Sequence, residues 1–300
     1  MHVLVTGATG WVGSAVVPEL LGAGHRVSGL ARSDASAAAL AATGAAVVRG
    51  SLDDLDLLSD AAGRSDGVVH LAFKHDVAFG GDFPAAVAAD RAAITALAAP
   101  LAGTGRPLVV ASGLAGHSGG VAVEETDAPF TDSGTTGRMR TEQEVLGLAA
   151  SGVRTVSVRL APTVHGAGDH GLISTFVDVA RRTGVAGHVG DGGNHWPAVH
   201  VTDAARLFRL GCESAPAGTV LHAAAEQGVA MREIAGVIGR YLDVPVRSVE
   251  PEHFGWLGAF AGLDVIARSE RTRQLLGWEP AGPGLLDDLG RHYFTVPAAR

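Results

Sequence analysis

Cysteine, lysine and tyrosine are scarce in this chain. Cys212 is the single thiol among 300 residues, which excludes an internal disulfide and suits a reducing, cytoplasmic setting. It falls in a predicted helix, where it reads as a small apolar residue. Lys74 is the only lysine, and Tyr241 and Tyr293 are the only tyrosines. No apolar run reaches the length of a membrane span, and the opening MHVLVTG reads as a strand rather than a leader peptide. Positive charge is also short, with Lys+Arg 23 against Asp+Glu 31 and a net charge of −8. That balance argues against nucleic acid or an anionic membrane as the main partner. The 13 histidines include no HExxH and no pairing with cysteines; His165, Asp169 and His170 come nearest to a cluster, and no metal is expected.

What the chain has is glycine in a telling place. Residues 3–13 read VLVTGATGWVG, a short apolar strand running into Gly7-Ala8-Thr9-Gly10-Trp11-Val12-Gly13 and then a helical pattern. Gly7 permits a tight turn, Gly10 lets a phosphate approach the backbone, and Gly13 lets the helix lie close on the sheet. The helix N-terminus then presents free N–H groups to an anion. A glycine-rich turn with no ligand is the alternative.

Further along, short apolar runs alternate with alanine-rich segments of helical period. Strands are predicted at Val3–Thr6, Val27–Leu30, Ala46–Val48, Gly67–Leu71, Leu108–Ala111 and Thr155–Arg159. Helices are predicted at Val12–Gly22, Ala35–Ala42, Leu55–Ala61, Phe83–Leu101 and Thr141–Ala150. This alternation predicts an α/β protein with a doubly wound parallel sheet of the Rossmann kind over residues 1–160. Residues 161–300 break into pieces punctuated by glycine and proline. They are expected to form a small C-terminal substrate-side lobe over the carboxyl edge of the sheet, with elements returning to its core.

The second strand, Val27–Leu30, ends without the carboxylate that an NAD ribose requires. Arg32 and Ser33 follow instead, and an arginine fork there clamps a 2′-phosphate, which favours NADP(H). Asp34 reads as the N-cap of the next helix.

Taken together, these segments resemble the short-chain dehydrogenase/reductase superfamily, in its atypical and extended branches, over nearly the whole chain. Thr6–Gly13 is similar to the family's TGxxGxxG, and Val68-Val69-His70-Leu71-Ala72 to its fourth-strand VxHLA segment. Ser51-Leu52-Asp53 occupies the adenine loop, with Ser51 where an aspartate is usual. Residues 158–162 and 164–169 (VRLAP, VHGAGD) resemble the stretch that meets the nicotinamide, and 190–192 with 199–205 the GDG…VHVxDxA element. The resemblance implies cofactor contacts at Gly7, Thr9, Gly10, Trp11, Val12, Gly13, Arg32, Ser33, Leu52, His70, Leu71, Ala72, Pro162 and Val164.

The chemical centre departs from that family, whose proton donor is a tyrosine with a lysine four residues on. No YxxxK exists in this sequence. Anchored on the helix at 142–150, the tyrosine position falls near Gly134 and the lysine position near Arg138, or, with a slip of two, at Thr136 and Arg140. Ser112 lies close to the family's serine position, although register puts Gly113 there. Asp90 stands where an asparagine is common.

Ser112, Arg138 and His165 form the candidate catalytic group: a hydroxyl that hydrogen-bonds a carbonyl or caps its strand, a fixed cation, and an imidazole that titrates near neutrality. Phe73, Lys74, Leu114, His117, Met139, His170 and Trp196 are candidate substrate contacts, each with an ordinary core or surface role as the alternative. The expectation is an NADPH-dependent reductase of a small, hydrophobic carbonyl or imine compound, monomeric or homodimeric, with tyrosine-independent proton delivery. The alternatives are a non-catalytic NADP(H) sensor and a nucleotide-sugar epimerase or dehydratase.

Overall fold

The computed structural model describes residues 1–116, 122–127 and 136–294. Seven strands form its central sheet: β1 (His2–Thr6), β2 (Arg26–Ala31), β3 (Ala46–Arg49), β4 (Gly67–His70), β5 (Pro107–Gly113), β6 (Arg154–Leu160) and β7 (Thr219–Ala223). All are parallel, in the order β7-β6-β5-β4-β1-β2-β3. The chain winds outward from β1 to β3 and then crosses back to β4. A crevice therefore opens at the carboxyl ends of β1 and β4, where such sheets take their ligands.

The period-two alternation of strand side chains builds a core on each face. Val3, Val5, Val109, Val156 and Val158 point to one side, with Val16, Val17 and Leu20 of α1 (Gly13–Gly22). Leu4, Val68, Leu108 and Val110 point to the other, against α3 (Leu55–Gly63) and α4 (Phe83–Ala98), which follow α2 (Asp34–Ala42). The six strands and the first helices lie where the sequence puts them, to within a residue or two at most ends. Three details differ. Ser33, not Asp34, caps α2, because its hydroxyl accepts the Ser36 amide in a capping box. Residues 99–101 tighten around Pro100 into a 3-10 turn. The helix α5 starts at Thr136 and runs to Gly147, five residues ahead of the predicted start.

After β6 the chain alternates between the lobe and the sheet. The lobe contains Thr163–His165, α6 (Leu172–Thr183) and His195–His200, then Glu226–Ala230 and α8 (Met231–Leu242). Its core joins Phe176, Trp196, Met231, Ile234, Phe254, Leu285 and Leu289. Between those pieces, α7 (Val201–Ser214) and β7 belong to the central sheet. Leu207, Phe208 and Cys212 pack into the same core as α1, and burial pushes the Cys212 thiol up to about 12. Among the described residues no helix is long and apolar enough to cross a membrane.

A buried ion pair ties α5 to the sheet. The Arg159 guanidinium of β6 donates to both carboxylate oxygens of Glu142 at 2.9–3.1 Å and to the Asp127 carbonyl at 3.1 Å, and both side chains are 1% exposed. Removing one partner strands a buried charge, at a cost of about 3–5 kcal/mol. Glu142→Ala is therefore expected to lower the unfolding free energy by that amount in urea titrations; a loss below about 1 kcal/mol would contradict the assignment.

Candidate active site

The crevice holds a cavity of about 1020 Å³ that runs from the glycine-rich turn to the lobe. Its floor is built by close backbone approach. Gly7 has φ +65°, and a Cβ there would lie 2.7 Å from the Ala72 nitrogen. A Cβ on Gly13 would lie 2.0 Å from the Gly7 carbonyl oxygen. Gly10 donates its N–H to that same oxygen at 2.9 Å, which closes the turn. Gly10, Trp11, Val12 and Gly13 form one wall, so the backbone of the turn at Trp11 and Val12 faces the cavity just ahead of α1, while the Ser14 and Ala15 amides are taken by the Gly10 and Val12 carbonyls. This geometry suits a pyrophosphate.

Beneath the turn lies a buried polar chain. The Ala72 amide donates to Thr6 Oγ1 (3.3 Å), Thr6 Oγ1 meets His70 Nδ1 (2.8 Å), and His70 Nε2 meets Asp90 Oδ1 (3.0 Å). Every group finds a partner when the hydrogens run from Ala72 through Thr6 and His70 to Asp90. His70 thus supports the turn from inside the sheet and does not line the cavity, which corrects its expected cofactor contact.

At the outer end, Arg32 and Ser33 line the cavity with Ser36, Leu52, Asp53 and Lys74. Lys74 Nζ sits 2.6 and 2.7 Å from the two Asp53 oxygens, and Arg32 lies 3.5 Å from Asp76, both well exposed. At the inner end are Ala111, Ser112, Arg138, Leu160, Pro162 and Val164. The Trp11 indole donates to the Val164 carbonyl at 2.7 Å and so fastens the lobe's first loop to the glycine-rich turn.

Arg138 Nη2 donates to the Ala111 carbonyl at 2.9 Å, and its guanidinium lies 4.3 Å from the centre of the Phe73 ring. Desolvation pulls its pKa below the usual guanidinium value, while Asp90 and Glu142 oppose that shift. Arg140 is exposed on the same helix, so the cavity selects Arg138 of the two candidate registers; Gly134 lies outside the described residues. His75 also lines the cavity, and its pKa is lowered by desolvation and then by the Arg138 charge.

Four expected contacts fall elsewhere. His165 is buried with Nδ1 2.8 Å from Asp288 Oδ2 and its ring 5.5 Å from that of His200, so it pins the helix Leu285–His292 to the lobe instead of facing a substrate. Trp196 packs edge-on to Phe176 in the lobe core and donates to the Leu263 carbonyl. Leu114 is buried with Ala224, Val265 and Ala267, and Met139 is buried on α5. Leu114, Met139 and Trp196 are thus core and not substrate contacts, because apolar burial accounts for each. His117 lies outside the described residues. Phe73, Lys74 and His170 do line the cavity, as do Gly7, Thr9, Leu71 and Ala72.

The sequence reading passed over other lining residues. Asp169 enters it beside His165 and His170 and as the end of the 164–169 stretch that resembles a nicotinamide contact, with no role of its own. Here its Oδ1 accepts the Gly171 amide at 2.6 Å and its Oδ2 accepts the Tyr293 hydroxyl at 2.7 Å, while burial raises its pKa. Its proximity to His170 in the chain was the available signal. Phe79 and Trp256 complete the outer wall, and nothing in the spacing of 73–79 and 256 announces that they meet. Among the described residues no group of three or more His, Cys, Asp or Glu is placed to hold a metal.

A parallel sheet with a glycine-rich turn opening on its switch point defines a dinucleotide-binding fold. Residues 3–224 match the NAD dependent epimerase/dehydratase family, and the chain belongs to that family. It is 43% identical over 295 residues to the uncharacterized protein C2A9.02 of Schizosaccharomyces pombe, covering 96% of this chain and 98% of that one. It is 40% identical over 299 residues to the uncharacterized protein YLL056C of Saccharomyces cerevisiae, covering 98% and 99%. Similar solved structures include the UDP-glucose 4-epimerase of Thermotoga maritima with UDP-glucose (TM-score 0.79, 21% identity, 98% and 97% covered). Another is the dTDP-glucose 4,6-dehydratase DesIV of Streptomyces venezuelae with NAD bound (TM-score 0.79, 21% identity, 98% and 96% covered). At these identities the likeness is one of fold.

The cradle makes a direct test available. Gly13→Ala is expected to abolish calorimetric binding of NAD+ and NADP+ while the chain still unfolds cooperatively. Gly22→Ala, whose added Cβ meets nothing within 4 Å, leaves binding intact. Equal affinities in the two variants would contradict the cradle.

Proposed function

We propose that the chain is an NADPH-dependent reductase of a small, hydrophobic carbonyl or imine compound, with proton delivery that uses no tyrosine–lysine pair. The observation that carries this reading is one continuous cavity lined by Arg32 at its outer end, by Ser112 and Arg138 at its inner end, and by Asp169 on the lobe side. Arg32 follows β2 where an NAD-specific site needs a carboxylate, and its fork of donors matches a 2′-phosphate. Ser33 and Ser36 stand beside it with hydroxyl groups. The glycine-rich turn takes the pyrophosphate.

The bound cofactor supplies a hydride. Ser112 offers a hydroxyl hydrogen bond to the substrate oxygen or nitrogen, and Arg138 offsets the negative charge that develops there. Arginine does not release a proton at working pH. Asp169 takes the role first given to His165. Its carboxyl group lies in the cavity with a pKa raised by burial, and it holds the proton that completes the alcohol or amine. Water then restores that proton.

The family and the fold neighbours favour a second reading, a nucleotide-sugar epimerase or dehydratase. The chain gives it little chemistry. Asn194 is spent on the Ala261 and Leu263 carbonyls, His195 is paired with Asp264, and Trp196 is buried, so the segment 194–196 presents no arginine or lysine to a sugar diphosphate.

Four outcomes test the proposal. Arg32→Ala should raise the NADPH dissociation constant about 10- to 100-fold, the worth of hydrogen bonds to a charged group, with little change for NADH; equal changes would refute the cofactor assignment. An NADPH-consumption screen over aldehydes, ketones and cyclic imines should show turnover, and tight binding with no turnover would indicate a sensor. For the active substrate, kcat should fall as pH rises through the raised pKa of Asp169, since the protonated form is the donor. Asp169→Asn should lower kcat and remove that limb while the NADPH dissociation constant stays unchanged.

A further inference from the structure

Aromatic rings are sparse in this chain, yet they gather along one wall of the cavity. Phe73 and His75 are 5.2 Å apart between ring centres, His75 and Phe79 are 5.6 Å apart and stacked, and Phe79 and Trp256 are 4.8 Å apart. The run starts at the Arg138 guanidinium, 4.3 Å above Phe73, so it leads outward from the proposed chemical group. It also spans the cleft, since Phe79 follows β4 while Trp256 comes from the lobe segment Pro251–Leu257.

The outer two rings are exposed, Phe79 by 55% and Trp256 by 50%. Among the large apolar side chains exposed in the described residues, these are the two that line the cavity, and they touch each other. Core packing therefore does not account for them. Exposed, contiguous apolar surface at a cavity mouth marks a binding surface. Its chemistry is narrow: ring faces, one imidazole, and a single cation at the inner end. A planar conjugated ring pairs with such faces in offset or edge-on geometry and gains beyond its buried area. A saturated ring of equal size gains only the area.

We propose that the substrate carries an aromatic ring, which lies on the wall Phe73–His75–Phe79–Trp256 with its carbonyl or imine group directed toward Ser112 and Arg138. This rests on the reductase reading and narrows its substrate class. Gly255, with φ +58°, sets the turn that places Trp256 at the mouth, and a single substitution at either outer ring shortens the wall without touching the glycine cradle.

The test compares 2-naphthaldehyde with its saturated counterpart, decalin-2-carbaldehyde, in wild type, Phe79→Ala and Trp256→Ala. The corresponding alcohols are titrated by calorimetry into the NADP+-saturated full chain. Wild type should bind 2-naphthalenemethanol more tightly than the saturated alcohol. Each variant should weaken the aromatic compound about fivefold more than the saturated one, in dissociation constant and in kcat/KM, a factor within the range of aromatic pairing. Equal dissociation constants in wild type, or equal losses for both compounds in the variants, would overturn the proposal. Discrimination between the alcohols with neither aldehyde reduced would sink the reductase reading and leave the aromatic site standing. Reduction of both aldehydes without discrimination would do the reverse.

Discussion

The arrangement depends on three backbones meeting without side chains between them. Gly13 brings the start of α1 onto the Gly7 carbonyl, and Gly7 brings the turn onto Leu71 and Ala72 as they leave β4. The cavity exists because this approach leaves the helix N-terminus bare at the switch point of the sheet. The polar chain from Ala72 through Thr6 and His70 to Asp90 locks the same junction from below. A buried chain of that kind rigidifies only when every member is satisfied, and here each is. The Asp90 position, unlike the asparagine common in related folds, thus has a physical role in holding the floor of the site.

In the proposed reading, fixed positive charge stands on that floor and no tyrosine–lysine pair does. The chain's single lysine is held by Asp53 at the outer end, and Arg138 occupies the inner end, braced by the Ala111 carbonyl and the Phe73 ring. The helix that carries Arg138 is in turn anchored by the buried Glu142–Arg159 pair. Such a site orients and polarises a carbonyl well. In the proposed reading the proton comes from Asp169, which burial desolvates and the Tyr293 hydroxyl holds in place.

Much of this was legible in the sequence, for local reasons. The glycine spacing at Gly7, Gly10 and Gly13 and the alternation of apolar strands depend on neighbours within a few residues, so the first six strands and the cradle were readable. Arg32 and Ser33 were readable because they sit at a fixed offset from β2. What failed was long-range. His165 looked catalytic from its loop, but Asp288, far along the chain, draws it inward. Trp196 looked like a wall residue in a glycine-rich stretch, yet Phe176 buries it. That part of 161–300 returns to the sheet was expected; that β7 takes the edge beside β6, and that Phe79 meets Trp256 across the cleft, are tertiary contacts that no local pattern encodes.

The most direct measurement is a crystal structure of the chain grown with NADP+. The account predicts the pyrophosphate against the amides of Trp11 and Val12, the 2′-phosphate beside Arg32, and the nicotinamide next to Val164 and Ser112. Density for the dinucleotide elsewhere, or a cradle that stays closed by the Trp11 ring at saturating ligand, would contradict it.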